Sequence, residues 1–130
     1  MRFLLDVNLL LALGLAEHER HARAAAWARS HRGGELLTCA ITEIGFIRVA
    51  CQAAAYGYTV ADAKELLRRL RAAESPRFGF VGDEVAADGL PGWVRGAGQV
   101  TDGHLIALAA AHGAKLATLD AGIPGALRVR

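Results

Sequence analysis

At 130 residues the chain has room for one hydrophobic core and not for two, so a single domain over residues 1–130 is expected. Apolar residues make up 53% and charged residues 22%, a balance that excludes wholesale disorder. A net charge of +2 excludes a generally basic nucleic-acid coat, so any nucleic acid would have to be gripped in a local groove.

The opening MRFLLDVNLLLAL has the outline of a signal peptide, but Asp6 and Asn8 interrupt its apolar run and no clean small-residue cleavage site follows. No stretch reaches the roughly eighteen apolar residues of a membrane span. Cys39 and Cys51 have no CxxC partner and suit a reducing compartment better than a disulfide framework. A cytoplasmic protein with no membrane segment is expected.

In chain order, Arg2 to Val7 is a short apolar run ending in polar residues, which predicts a buried strand. Leu9 to Leu15 reads as a short helix. Glu17 to His31 reads as a longer one, with Ala24, Trp27 and Ala28 on one face and Gly33-Gly34 beyond its end. Glu35 to Thr38 is a second strand. Ile41 to Ala55 follows as a helix, apolar at Ile41, Ile44, Ile47 and Cys51. Thr59 opens a helix to Ala73 that buries Leu66, Leu67 and Leu70 and turns Arg68, Arg69 and Arg71 outward. Phe78 to Val81 is a third strand.

Asp83 to Val100 resists assignment, because Gly89, Pro91, Gly92, Gly96 and Gly98 favour loops and short helical turns. Thr101 is expected to cap a helix to His112, closed by Gly113. Lys115 to Leu119 and Leu127 to Val129 are the last strands. Strands alternating with helices predict an α/β fold: a parallel central sheet of four or five strands with helices on both faces.

That architecture gives four acids a common destination. Right-handed crossovers place every strand's carboxyl end on one edge of a parallel sheet, and ligands bind at that edge. Asp6 ends the first strand and Asp120 ends LATLD, while Glu43 and Asp102 fall in the first turns of helices that start at the same edge. Two carboxylates about 5 Å apart repel by about 3 kcal/mol at an effective dielectric of 20. A hard divalent cation relieves that repulsion, and oxygen donors favour Mg²⁺ or Mn²⁺ over zinc. Singly, Asp102 and Glu43 are explained by a helix dipole and Asp120 by a turn. Asp6 is not, because an unpaired carboxylate in an apolar strand is costly.

Three segments carry a family resemblance: LLDVNLLLAL, TCAITEIGFIRV and QVTDGHLIALAAAHGAKLATLD, the last being the most specific. Over nearly its whole length the chain resembles the PIN-domain nucleases, and within them the VapC toxins. The resemblance implies a single PIN-like domain and an acidic quartet of Asp6, Glu43, Asp102 and Asp120. Asp6 and Asp102 would ligate Mg²⁺ or Mn²⁺ directly and Asp120 directly or through water, with Glu43 a ligand or a base. Asn8 and Thr118 occupy supporting positions. It also implies an endoribonuclease toxin cutting structured RNA such as transfer RNA, a homodimer, and a VapB-like antitoxin as partner. Asp83 to Gly98 departs from the pattern, which leaves its part in substrate choice open.

The residues that contact RNA are not identifiable from the sequence. Arg68, Arg69, Arg71 and Arg77 form a basic stretch that a solvated helix face also explains, and neither Arg48 nor His104 can be placed at the site. His18 and His21 lack a third ligand. Two rival readings stand beside the nuclease. An aspartyl-nucleophile phosphohydrolase wants a second Asp where this chain has Asn8. A non-catalytic PIN-like module would bind RNA or a partner without cutting.

Overall fold

The computed structural model describes all residues from Met1 to Arg130. It contains β1 (Arg2–Leu5), α1 (Val7–Gly14), α2 (His21–Ser30), β2 (Glu35–Thr38), α3 (Ala40–Gln52) and α4 (Val60–Arg71). β3 (Arg77–Phe80), α5 (Val100–Ala111), β4 (Lys115–Thr118) and β5 (Leu127–Arg128) follow. Two single 3₁₀ turns, Ala87–Gly89 and Ala97–Gln99, lie in the stretch that the sequence left unassigned. No helix is long and apolar enough to cross a membrane.

All four strand pairings are parallel, in the order β3-β2-β1-β4-β5. Alternation along each strand divides the core between the two faces. Phe3, Leu5, Leu36 and Ala117 join Leu9, Leu10, Ala24, Phe46 and Leu67 beneath α1 to α4. Leu4, Leu37 and Leu116 face the other way and meet Leu105, Leu108 and Ala109 of α5. Burial on both faces is why the strands read as continuous apolar runs. The expected α/β architecture is therefore present, with five strands.

The order also fixes where a site can form. From β1 the chain winds outward through β2 and β3, then returns to place β4 on the other side of β1. The strand order thus reverses between β1 and β4, and connections leaving those two strands part company there. The crevice opens at the carboxyl ends of these two strands.

Local details depart from the sequence reading at helix starts. The helix expected from Glu17 begins at His21, because His18 Nδ1 accepts the Arg20 amide at 3.0 Å and the segment before it is a series of turns. Thr101 does not cap α5. The preceding 3₁₀ turn feeds straight into that helix, which starts at Val100 with Gln99 in the cap position. Thr59 does cap α4, in a reciprocal pair of 3.1 Å bonds with Asp62. Gly113, at φ +65°, releases the chain from α5 into β4.

Candidate active site

Asp6 follows β1 directly and caps α1, its Oδ1 accepting the Leu9 amide at 2.8 Å. The chain can turn from strand to helix there because a short carboxylate satisfies an amide that the first turn leaves unpaired. Oδ2 accepts the Thr118 hydroxyl at 2.5 Å, from the last residue of β4. The Asp6 amide donates to Ala117 O at 3.2 Å, so backbone and side chain both tie it across the switch point. Asp6 is only 4% exposed.

Burial is the main cause that pushes the Asp6 carboxyl up to about 6, against the Thr118 and Leu9 hydrogen bonds, which lower it. The charges of Asp120 and Asp102 raise it further. Asp102, in the first turn of α5, is itself raised by burial and then by the charge of Asp120. Asp120 lies just past β4, and its amide donates to Thr118 Oγ1 at 3.0 Å. Three carboxylates from the two strands at the switch point and from α5 therefore share one field. Thr118 is the hinge between two of them.

Glu43 has partners of its own. It lies in the first turn of α3, but its Oε2 accepts the Thr38 hydroxyl at 2.5 Å and faces Arg71 Nη1 at 3.3 Å. The acids whose charges act on Asp6 are Asp120 and Asp102, while Glu43 is engaged one strand over, at the end of β2. Nor do any three Asp, Glu, His or Cys side chains form a closed chelating group in this arrangement. Asn8, the second residue of α1, is exposed and makes no side-chain hydrogen bond.

Other titratable residues have structural partners. His21 Nδ1 bonds Ala12 O at 2.8 Å, joining α2 to α1. His104 Nε2 pairs with Asp83 and His112 Nε2 with Gly82 O, so both rings pin the long β3–α5 connection onto α5. Of the basic stretch, Arg68 and Arg69 are paired with Glu65 and Arg77 with Glu35. A cavity of about 540 Å³, lined by Arg2, Arg32, Glu35 and Arg77 among others, lies at the opposite edge of the sheet and contains none of the four acids.

Two residues stand at the carboxyl edge that the sequence did not place there: Arg71, legible only as part of a basic stretch, and Phe80. Arg71 ends α4 and reaches Glu43, and its guanidinium carbon stands 5.7 Å from the ring centre of Phe80. Phe80 ends β3, pairs in register with Thr38, and is 50% exposed. The only signal in the sequence was position: an aromatic at the last residue of a strand whose carboxyl end faces the site.

A fully parallel sheet with acids gathered at its switch point defines an α/β domain whose ligand site lies at the carboxyl edge. The PIN domain profile matches residues 3–126, and the chain belongs to the PIN domain family. Ribonuclease VapC38 of Mycobacterium tuberculosis is 40% identical over 126 residues, covering 92% of this chain and 86% of that protein. Ribonuclease VapC44 of the same species is 37% identical, covering 98% and 96%. Ribonuclease VapC29, also from that species, is 35% identical, covering 95% and 89%. A solved structure, PAE2754 from Pyrobaculum aerophilum, has the same fold at a TM-score of 0.62, with 22% identity over 99% of this chain and 84% of its own.

Proposed function

We propose that this chain is a VapC-type endoribonuclease toxin that hydrolyses RNA phosphodiester bonds. The relatives are named as ribonucleases, and their likeness covers 92% and 98% of this chain. The observation that carries the chemistry is Asp6, buried at the head of α1 within the field of Asp102 and Asp120.

A buried carboxylate held near neutrality by burial and by two acidic neighbours gains when a cation takes the place of its proton. The donors are all oxygen, which fits Mg²⁺ or Mn²⁺. Asp6, Asp102 and Asp120 would hold the ion, which when bound would polarise the scissile phosphate and make the attacking water more acidic. Thr118 keeps Asp6 and Asp120 in register with each other. Thr38 and Arg71 both engage Glu43 Oε2, which leaves Oε1 to orient the incoming water and accept its proton. The exposed Asn8, two residues from Asp6, would donate its side-chain amide to a phosphate oxygen.

Unstacked loops of structured RNA, such as those of transfer RNA, are the targets that such a crevice suits, since side chains read bases best where they are splayed out. The proposed partner is a VapB-like antitoxin. A cleft of about 320 Å³ lined by Ile41, Val85, Leu90 and Val100 opens beside Thr101 and supports the seating of an apolar antitoxin segment. Exposed Ile44 and Val60 support a homodimer. Free Cys39 and Cys51 are in keeping with a reducing cytoplasm.

The decisive experiment incubates purified chain and its Asp6→Asn variant with labelled structured RNA, in Mg²⁺ or in chelator. Cleavage by the parent in Mg²⁺ alone, lost in the variant, is the expected result. Equal cutting by the folded variant would end the nuclease reading. Mg²⁺ binding in calorimetry without any cutting would favour a non-catalytic module.

A further inference from the structure

Phe80 and Arg71 form a half-exposed shelf on the carboxyl edge of the sheet. Along β3, Phe78 packs against the main core, whereas Phe80, on the same face two residues later, leaves half its surface in solvent. The solvent-facing half of the ring contributes nothing to the core. Arg71 lies over this ring, and the same guanidinium touches Glu43. Phe80 pairs with Thr38, whose hydroxyl also reaches Glu43. The aromatic ring is thus tied to a candidate site residue from two sides.

The position relative to Asp6 follows from the sheet. β3 is separated from β1 only by β2, so Phe80 stands two strand spacings from the Asp6 column, about 10 Å. A phosphate seated at Asp6 would leave a neighbouring nucleotide within reach of that shelf.

From this placement we infer that Phe80 and Arg71 form a nucleobase subsite, in which Arg71 swings off the ring to take a phosphate and an unpaired base of the RNA stacks on the Phe80 face it uncovers. Stacking tolerates every base, because each has a π face. Arg71 suits its part because a planar guanidinium can rest on a ring or bind a phosphate. The subsite rests on the ribonuclease reading for the identity of its ligand and deepens it. It selects single-stranded RNA over duplex, since a base inside a helix offers no free face.

The test separates the two claims. In the Asp6→Asn background, a Phe80→Trp variant is titrated with a short unstructured oligoribonucleotide. Its emission is quenched relative to the same background without the new tryptophan, while a blunt RNA duplex of equal length quenches little. In the same background Phe80→Ala weakens oligoribonucleotide binding by about ten-fold. In the cleaving chain, Phe80→Ala raises KM by about ten-fold with kcat nearly unchanged, and Phe80→Tyr restores KM. Circular dichroism and thermal melting confirm that each variant is folded.

Binding and KM unchanged in Phe80→Ala, in a chain that cuts RNA, would overturn the subsite and leave the nuclease standing. Quenching and weakened binding in a chain that cuts nothing would leave the subsite standing without the nuclease. Equal quenching by duplex and single strand would overturn the stacking geometry.

Discussion

The Thr118 hydroxyl donates to Asp6 Oδ2 at 2.5 Å and accepts the Asp120 amide at 3.0 Å, which joins two acids 114 residues apart through one side chain. Thr118 is fully buried, so neither bond is replaced by bulk water when it is lost. Thr118→Val keeps the shape and removes both bonds. The expected cost is about 1–3 kcal/mol in stability. Cleavage or Mg²⁺ affinity falls by about 10- to 100-fold, as when outer partners of ligating groups are removed. Thr118→Ser restores most of both. Urea denaturation and calorimetry measure the two effects, and a fully active, equally stable Thr118→Val would show that the bond positions nothing.

The same residues show what a sequence can disclose. Strands buried on both faces leave long apolar runs, so an acid at the end of one stands out, as Asp6 and Asp120 do. Caps leave equally local signals, as Thr59 with Asp62 does. What remained hidden depends on contacts between distant elements. Arg71 looks like part of a solvated helix face, and only the packing of α4 beside α3 brings it to Glu43. Glu43 had the right helix turn, yet sequence spacing could not show which neighbour its carboxylate would meet. The stretch from Gly82 to Gln99 has little regular structure and is held instead by ties no sequence pattern announces: Asp83 to His104, Gly82 to His112, and Gln99 to Arg95 and Gly96.

Asp6 imposes a pH dependence on the metal-free protein. Its carboxyl is raised from 3.8 to about 6 in the fold, chiefly by burial. Between those values the folded state keeps a proton that the unfolded chain has released, so this group's contribution to stability falls as pH rises through the window. At about 1.4 kcal/mol per unit, the full loss above pH 6 is about 3 kcal/mol. Asp6→Asn does not titrate there. The variant should therefore gain stability over the parent between about pH 4 and pH 7, by up to about 3 kcal/mol, while losing cleavage. Saturating Mg²⁺ should stabilise the parent and narrow the gap. Melting both proteins across this range checks the sign, and a gap that shrinks with rising pH would contradict the burial argument.

Gly103 is the point at which the unassigned connection meets the site. A Cβ there would lie 2.2 Å from Val94 Cγ2 and 3.4 Å from Pro91 Cδ. Gly103→Ala gains about 1 kcal/mol of helix propensity but forces Val94 aside, at a cost of about 1–3 kcal/mol. A net loss of stability is expected. Because Gly103 adjoins Asp102, a drop in cleavage should accompany it. Chemical denaturation decides the matter: a variant more stable than the parent would mean that the connection yields freely.

Glu43 and Asp102 should fail in different ways. Glu43 is turned toward Thr38 and Arg71, whereas Asp102 shares its field with Asp120 and Asp6. Glu43→Gln keeps an oxygen for Thr38 and breaks a partly exposed ion pair, with side chains 18% and 39% exposed, so stability should change by less than about 1 kcal/mol. If Glu43 acts as a base, kcat falls by about a hundred-fold or more while Mg²⁺ affinity stays close to that of the parent. Asp102→Asn should instead weaken Mg²⁺ binding, and cleavage should recover in part at high Mg²⁺. Calorimetry alongside a Mg²⁺ series of cleavage rates separates the two patterns. A large loss of Mg²⁺ affinity in Glu43→Gln would move Glu43 among the ligands and require its side chain to leave Arg71 when the ion binds.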